Sequence, residues 1–265
     1  ALREASRGAR SGSGQVVGIV GEAGVGKCRL ALELRKASSK DEYTCLQGLC
    51  LHYGSSMPYL PVLDILKSYF NIQEEDREYL IKKKVREGLG LLDEALLDSM
   101  PCFHELLSVQ VEDEKYLQLE PQQRRQRTFE AIRALFVRIS HVKTLLLVVE
   151  DLHWIDKTSQ EFLDYLIGWL TNTPALLVLL YRPEYTHTWG SKSYYRMVGL
   201  NQLSSSNSAD LVDAILEGGD VVPELRELIH RNDLVVGHAH IAMGLGVAFM
   251  ALTIAHHLMG RLFRR

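Results

Sequence analysis

The sequence predicts an α/β fold, a parallel sheet covered by helices on both faces and carrying a helical insertion. Two runs, Thr144–Val149 and Ala175–Tyr181, are apolar almost throughout, as strands are when helices cover both faces of a sheet. A third, Val- and Ile-rich run, Gln15–Val20, has the same character. Segments with helical spacing lie between these runs, and that alternation defines the class.

The strands and helices follow in order. Ala1–Arg10 has no apolar stretch of the kind a secretory signal needs and no initiator Met. Glu4 and the small residues suit a helix end that enters a Ser/Gly linker, Ser11–Gly14. Residues 1–14 are thus expected to be a linker or the end of a preceding segment of a longer or processed protein. Residues 15–200 are expected to form the core. After the strand Gln15–Val20 and a glycine-rich turn, Leu30, Ala31 and Leu34 share one face of a helix over Lys27–Lys36. Tyr43–Leu51 alternates as a second strand, Pro58 and Pro61 interrupt, and Val62–Phe70 is helical. Residues 73–140 are charged, Leu-rich and largely helical, closing with a helix that Pro121 opens and that carries Phe129, Ile132, Phe136 and Ile139 at helical spacing. Arg124, Arg125 and Arg127 in its first turns read as a solvated face or as a phosphate contact. Thr158–Glu161 has the pattern of a capping box ahead of a helix over Phe162–Leu170.

Composition narrows the function classes. The chain has 265 residues, 46% hydrophobic and 24% charged, which excludes disorder along its whole length. A net charge of −3 offers no global basic excess, so nucleic acid is not an expected partner. Four scattered cysteines without a CxxC pair suit neither a disulfide scaffold nor a structural zinc. Cys45, Cys50 and Cys102 read as small core residues, and the usage points to a reducing, cytoplasmic compartment.

The chemistry is concentrated in three places. Gly21, Glu22, Ala23, Gly24, Val25, Gly26, Lys27 and Cys28 match G-x-x-x-x-G-K between a predicted strand and a predicted helix, the context that motif requires. Glycines let the backbone wrap around phosphates with N–H groups pointing inward, and the helix start adds its positive dipole end. Lys27 places a cation on the terminal phosphates. The sequence carries no N-K-x-D signature, which favours ATP over GTP. Cys28 departs from the Ser or Thr whose hydroxyl would ligate Mg²⁺, since sulfur is a poor ligand for that ion. Either Mg²⁺ is held through water and carboxylates, or this chain binds nucleotide with reduced hydrolysis. A thiol at a helix start beside a lysine is also a candidate for redox reactivity.

The second place is Glu150–Asp151, which ends an apolar strand at the edge where α/β sheets bind ligands. One carboxylate would hold the Mg²⁺ water shell and the other would activate the attacking water. Position makes Glu150 the metal partner and Asp151 the base, although the Glu-then-Asp order leaves the two roles open. The third place is Arg182, after the last apolar strand, either a contact to the γ-phosphate or a surface arginine beside Pro183. His153 is a signal relay or a structural residue, and Trp154 reads as packing.

Four blocks then carry a family resemblance: Gly21–Leu30 (GEAGVGKCRL), Gly48–Pro61 (GLCLHYGSSMPYLP), Val149–Asp156 (VEDLHWID) and Tyr181–Tyr185 (YRPEY). Together they resemble the AAA/STAND-type ATPase module, of the origin-recognition-like branch found in large bacterial signalling proteins. The resemblance covers roughly residues 1–230. It implies a P-loop NTPase sheet in which the arginine-bearing strand lies between the glycine-loop strand and the acidic strand. It implies ATP with Mg²⁺, and a switch that is read by neighbouring domains of a larger chain, often class III adenylate/guanylate cyclase or tetratricopeptide domains. A homo-oligomer is kept open, and so is a small-molecule or nucleoside kinase on the same fold.

Two expectations concern the C-terminus. Residues 201–232 would begin a helical lid. Residues 233–265 depart from the family pattern, and Leu234–Gly260 contains no Asp, Glu, Lys or Arg. As a helix it would be about 40 Å long, enough to span a bilayer. Arg261, Arg264 and Arg265 would then lie outside, against the positive-inside tendency. A membrane helix, a buried helix and a junction artefact all stay open.

Overall fold

Side chains apolar on both faces place the strands Thr144–Glu150 (β3) and Ala175–Tyr181 (β4) at the centre of a five-stranded sheet. The computed structural model describes residues 1–39, 41–52 and 57–201. Gln15–Val20 (β1), Tyr43–Leu49 (β2) and Tyr195–Gly199 (β5) complete the sheet, in the order β2-β3-β4-β1-β5. β1, β2, β3 and β4 run parallel, with Val20 beside Tyr181, Val149 beside Leu179 and Leu49 beside Glu150. β4, the strand that leads into Arg182, therefore separates β1 from β3, as the resemblance implies. The fold is that of an α/β P-loop NTPase.

Contacts divide the chain into two units, residues 1–20 with 31–198, and residues 21–30 with 199–265. The first holds the sheet and its covering helices. Leu2–Arg10 (α1) buries Ala5 and Ala9 completely, and its polar residues fasten it through Arg10–Glu42 at 2.5 Å and Arg196–Glu4 at 2.6 Å. Leu60–Tyr69 (α3) lies against β2, and the Leu49 N–H donates to its Asp64 at 3.2 Å. The charged stretch that follows folds into Glu78–Leu92 (α4), Met100–Leu106 (α5) and Glu114–Leu117 (α6). Pro121–Val142 (α7) starts with a capping box between Glu120 and Gln123 and buries Phe129, Ile132, Phe136 and Ile139. Lys27–Ala37 (α2) follows the glycine loop.

Two local readings need correction. Lys157–Trp169 (α8) begins earlier than its capping-box pattern implies, and its cap is Asp156. The Asp156 carboxylate accepts from the Ser159 N–H at 2.9 Å and from the Ser159 hydroxyl at 2.5 Å, which leaves Thr158 and Glu161 inside the first turns. The second is β5, absent from the sequence reading. Its five residues are YRMVG, with Met197 exposed and nothing fully buried, so no apolar run announces it. The lid over 201–232, apart from Asn201, and the tail over 233–265 lie outside the described residues. Among those described, no helix is long and apolar enough to cross a membrane.

Candidate functional site

In the second unit, the glycine loop turns on two left-handed glycines, Gly24 at φ 80° and Gly26 at φ 97°. Only glycine takes such angles without strain, and two of them in three residues curl the loop. Lys27 opens α2 and is 6% exposed. Its ammonium donates to the carbonyl oxygens of Gly21 and Glu22, both at 2.8 Å, which draws the side chain back along the loop. The Leu30 N–H donates to the Gly26 carbonyl at 2.9 Å, so the helix is formed from its first turn. A curled glycine loop, a helix N-terminus and a lysine folded along them suit a polyphosphate. Glu22 and Ala23 are exposed; Gly24, Val25, Gly26 and Cys28 are partly so.

In the first unit, Glu150 and Asp151 stand at the C-terminal end of β3. Asp151 adopts left-handed backbone, φ 54° and ψ 40°, where β-strand geometry stops. Strained angles of this kind cost about 1–3 kcal/mol and persist where the surroundings over-determine them. The Trp154 N–H donates to the Asp151 carbonyl at 2.9 Å and closes the turn. Glu150 is held from the side, its Oε1 accepting from the Gln47 amide of β2 at 2.8 Å. Gln47 in turn accepts from Arg35 of α2. Two carboxylates form the kind of oxygen-donor set a hard cation prefers.

The loop beyond β3 packs on the loop beyond β2. The Cys50 N–H donates to the Glu150 carbonyl at 3.0 Å, and His52 meets Trp154 edge-on with ring centres 4.3 Å apart. His153 lies 5.0 Å from the same indole. Trp154 is partly buried against the core, in keeping with a packing role. Burial, helped by Asp156, Asp151 and Asp64, pushes the Cys50 thiol up, so it is a protonated core residue at neutral pH. Cys102 is buried likewise, whereas Cys45 is only partly so.

Arg182 follows β4 directly, one strand over from the acidic pair. It is about one-third exposed and lies 3.9 Å from Glu184. The Tyr185 N–H donates to the Arg182 carbonyl at 3.0 Å and turns the chain there. The basic run of α7 is engaged in ion pairs, Arg124 with Glu105 at 2.6 Å and Arg125 with Glu161. Glu150, Asp151 and Arg182 therefore share the C-terminal edge of the sheet within the first unit. Residues 21–28 belong to the second. Gln47 and Arg35 were missed from sequence; their only signal is polarity in otherwise half-apolar elements.

The chain belongs to the AAA ATPase domain family, whose profile matches residues 1–179. An uncharacterized protein of Rhizobium meliloti (strain 1021) is 27% identical over 203 residues, 76% of this chain and 19% of that protein. The chain thus spans about a fifth of the length of that relative. Among solved structures, a STAND protein with a tetratricopeptide repeat sensor from Pyrococcus horikoshii is similar at 18% identity, covering 89% of this chain and 28% of that one with a TM-score of 0.38. Drosophila ORC bound to AT-rich DNA and Cdc6 is similar at 11% identity, covering 90% of this chain and 67% of that one with a TM-score of 0.34.

Proposed function

We propose that the chain is the ATP-binding switch module of a larger STAND-type regulator, and that it hydrolyses ATP weakly. The observation that carries this reading is the glycine loop with Lys27 drawn along it, in a member of the AAA ATPase domain family. Backbone N–H groups of Gly21–Cys28 and the Lys27 ammonium would hold the phosphates. Glu150 and Asp151 would hold Mg²⁺ through water, and Mg²⁺ would supply charge neutralisation at the phosphates. Asp151 would take the proton of the attacking water. Arg182 would touch the γ-phosphate and respond to its loss. The readout would pass to neighbouring domains, of cyclase or tetratricopeptide type, and to other copies of the chain, in the cytoplasm.

A second reading, a nucleotide-binding scaffold without useful turnover, rests on Cys28, whose sulfur handles Mg²⁺ poorly. One experiment addresses both. ATP is titrated by calorimetry with and without Mg²⁺, and phosphate release is followed on the same sample. Mg²⁺-dependent binding that Lys27→Ala abolishes is expected; binding that survives this substitution would overturn the assignment. Binding with no release favours the scaffold.

A further inference from the structure

Beyond β4 the chain runs through residues 182–194 before it re-enters the sheet as β5. A cluster of rings holds this segment, and all its members lie in the first unit. Tyr181 ends β4 and Tyr195 begins β5, and their hydroxyls meet. His187 Nε2 sits 2.8 Å from the Tyr181 hydroxyl and 3.1 Å from the Tyr195 hydroxyl. The His187 ring stacks on Trp189 at 4.8 Å and 14°. The Trp189 indole is 1% exposed and donates to Asp164 of α8 at 2.6 Å. Tyr185 hydrogen-bonds Gln160 of the same helix. Gly18 of β1 leaves room for the two phenols, since a Cβ there would come within 2.3 Å of the Tyr195 hydroxyl and 2.7 Å of that of Tyr181.

The hydrogen bonds assign the tautomer. His187 Nδ1 accepts from the backbone N–H of Trp189 at 3.3 Å. The ring proton is therefore on Nε2, where it is donated to the phenol pair. A second proton would have to go on Nδ1, face to face with the Trp189 N–H. Two donors opposed in a half-buried site cannot both be satisfied.

We propose that His187 is a proton-sensitive latch: neutral, it locks residues 182–194 between β4, β5 and α8, and protonated, it releases them. The groups facing the ring are Tyr181 from β4, Tyr195 from β5, Tyr185 and Trp189 from the segment itself, and Asp164 from α8. Burial is the larger influence and draws the imidazole below its ordinary range, against the weaker pull of Asp164. Asp164 is already occupied by the Trp189 indole and by the Gln160 amide at 3.1 Å. The sign follows from linkage. Above about pH 6.5 both closed and open forms are neutral and the latch holds in full. As pH falls below that value the open form takes up the proton first, and closure weakens until the closed form titrates as well. The first residue released is Arg182, so the link to nucleotide sensing rests on the role proposed above for that residue.

Tryptophan emission tests the latch without nucleotide. In the full chain carrying Trp154→Phe and Trp169→Phe, Trp189 is the single indole. Between pH 8 and pH 5 its emission should shift to the red in one step, with a midpoint below about 6.5. His187→Gln should remove the step and leave the pH 8 spectrum unchanged. Hydrogen exchange of the 182–195 peptide in the unsubstituted chain, corrected for intrinsic rates, should speed up at least tenfold across the same range. A step that persists in His187→Gln, or exchange that does not change with pH, overturns the proposal. ATP binding without the step removes the latch alone, and the step without ATP binding removes the nucleotide reading alone.

Discussion

Cys28 is the residue at which family pattern and chemistry part most sharply. A hydroxyl there would complete a hard-oxygen set for Mg²⁺, and the thiol supplies a larger, softer atom. Cys28→Ser is expected to raise phosphate release at least tenfold with little change in ATP affinity measured without Mg²⁺, checked by a coupled phosphate assay and calorimetry. Unchanged turnover would show that Cys28 does not limit the hydrolysis proposed for this chain. The candidate site residues stand out in the sequence because their types are improbable in context: glycines before a lysine, two acids ending an apolar strand. His187 does not, because a lone histidine in a polar connection carries no signal until the fold brings Tyr181 and Tyr195 to it. Gln47 stayed hidden for the same reason, since its partner Glu150 lies about a hundred residues further on, and Arg35 with it, since Arg35 reaches Glu150 only through Gln47.

At the scale of elements, β1, β3 and β4 could be read from apolar runs alone, because strands covered on both faces need no alternation. β5 could not, since its edge position leaves polar and exposed residues in it. Helix α8 shows how a cap is misplaced by pattern. Thr158 and Glu161 have the right spacing, but Asp156, 6% exposed, satisfies the first turn with both carboxylate oxygens. Because α8 also holds the segment after β4 through Gln160 and Asp164, this cap reaches beyond its own helix. Asp156→Ala is expected to cost about 1–2 kcal/mol. Urea unfolding followed by far-UV circular dichroism checks it. A loss under about 0.3 kcal/mol, below even the weakest caps, would mean that the cap contributes nothing net.

For the whole molecule, α1 is the element whose weight the sequence understates. Residues 1–14 read from sequence as a linker or the end of a preceding segment, yet Ala5 and Ala9 are fully buried. Small side chains set the close approach of this helix, and ion pairs at Glu4 and Arg10 tie it to β5 and to the residue before β2. Any segment joined upstream would thus pull on the sheet itself. Ala9→Leu would force about three extra carbons into a closed contact, at a cost of about 1–3 kcal/mol. A drop of about 2–10 °C in the thermal midpoint is expected for a chain of this size. A midpoint unchanged by Ala9→Leu would show that α1 is only loosely applied. The same substitution should leave ATP affinity within about twofold if α1 acts through stability alone, which separates the two effects.

The left-handed turn at Asp151 has one more consequence, for which acids the site can accept. Short polar side chains bear positive φ far better than longer ones, because aspartate and asparagine can bond to their own backbone there. A glutamate in the second place would pay for the turn at every cycle of folding, whereas Glu150, still in extended strand, is free to be the longer acid. The Glu-then-Asp order of the acidic pair thus follows from the handedness of the turn. Engineering that exchanges the two residues would have to rebuild the turn as well.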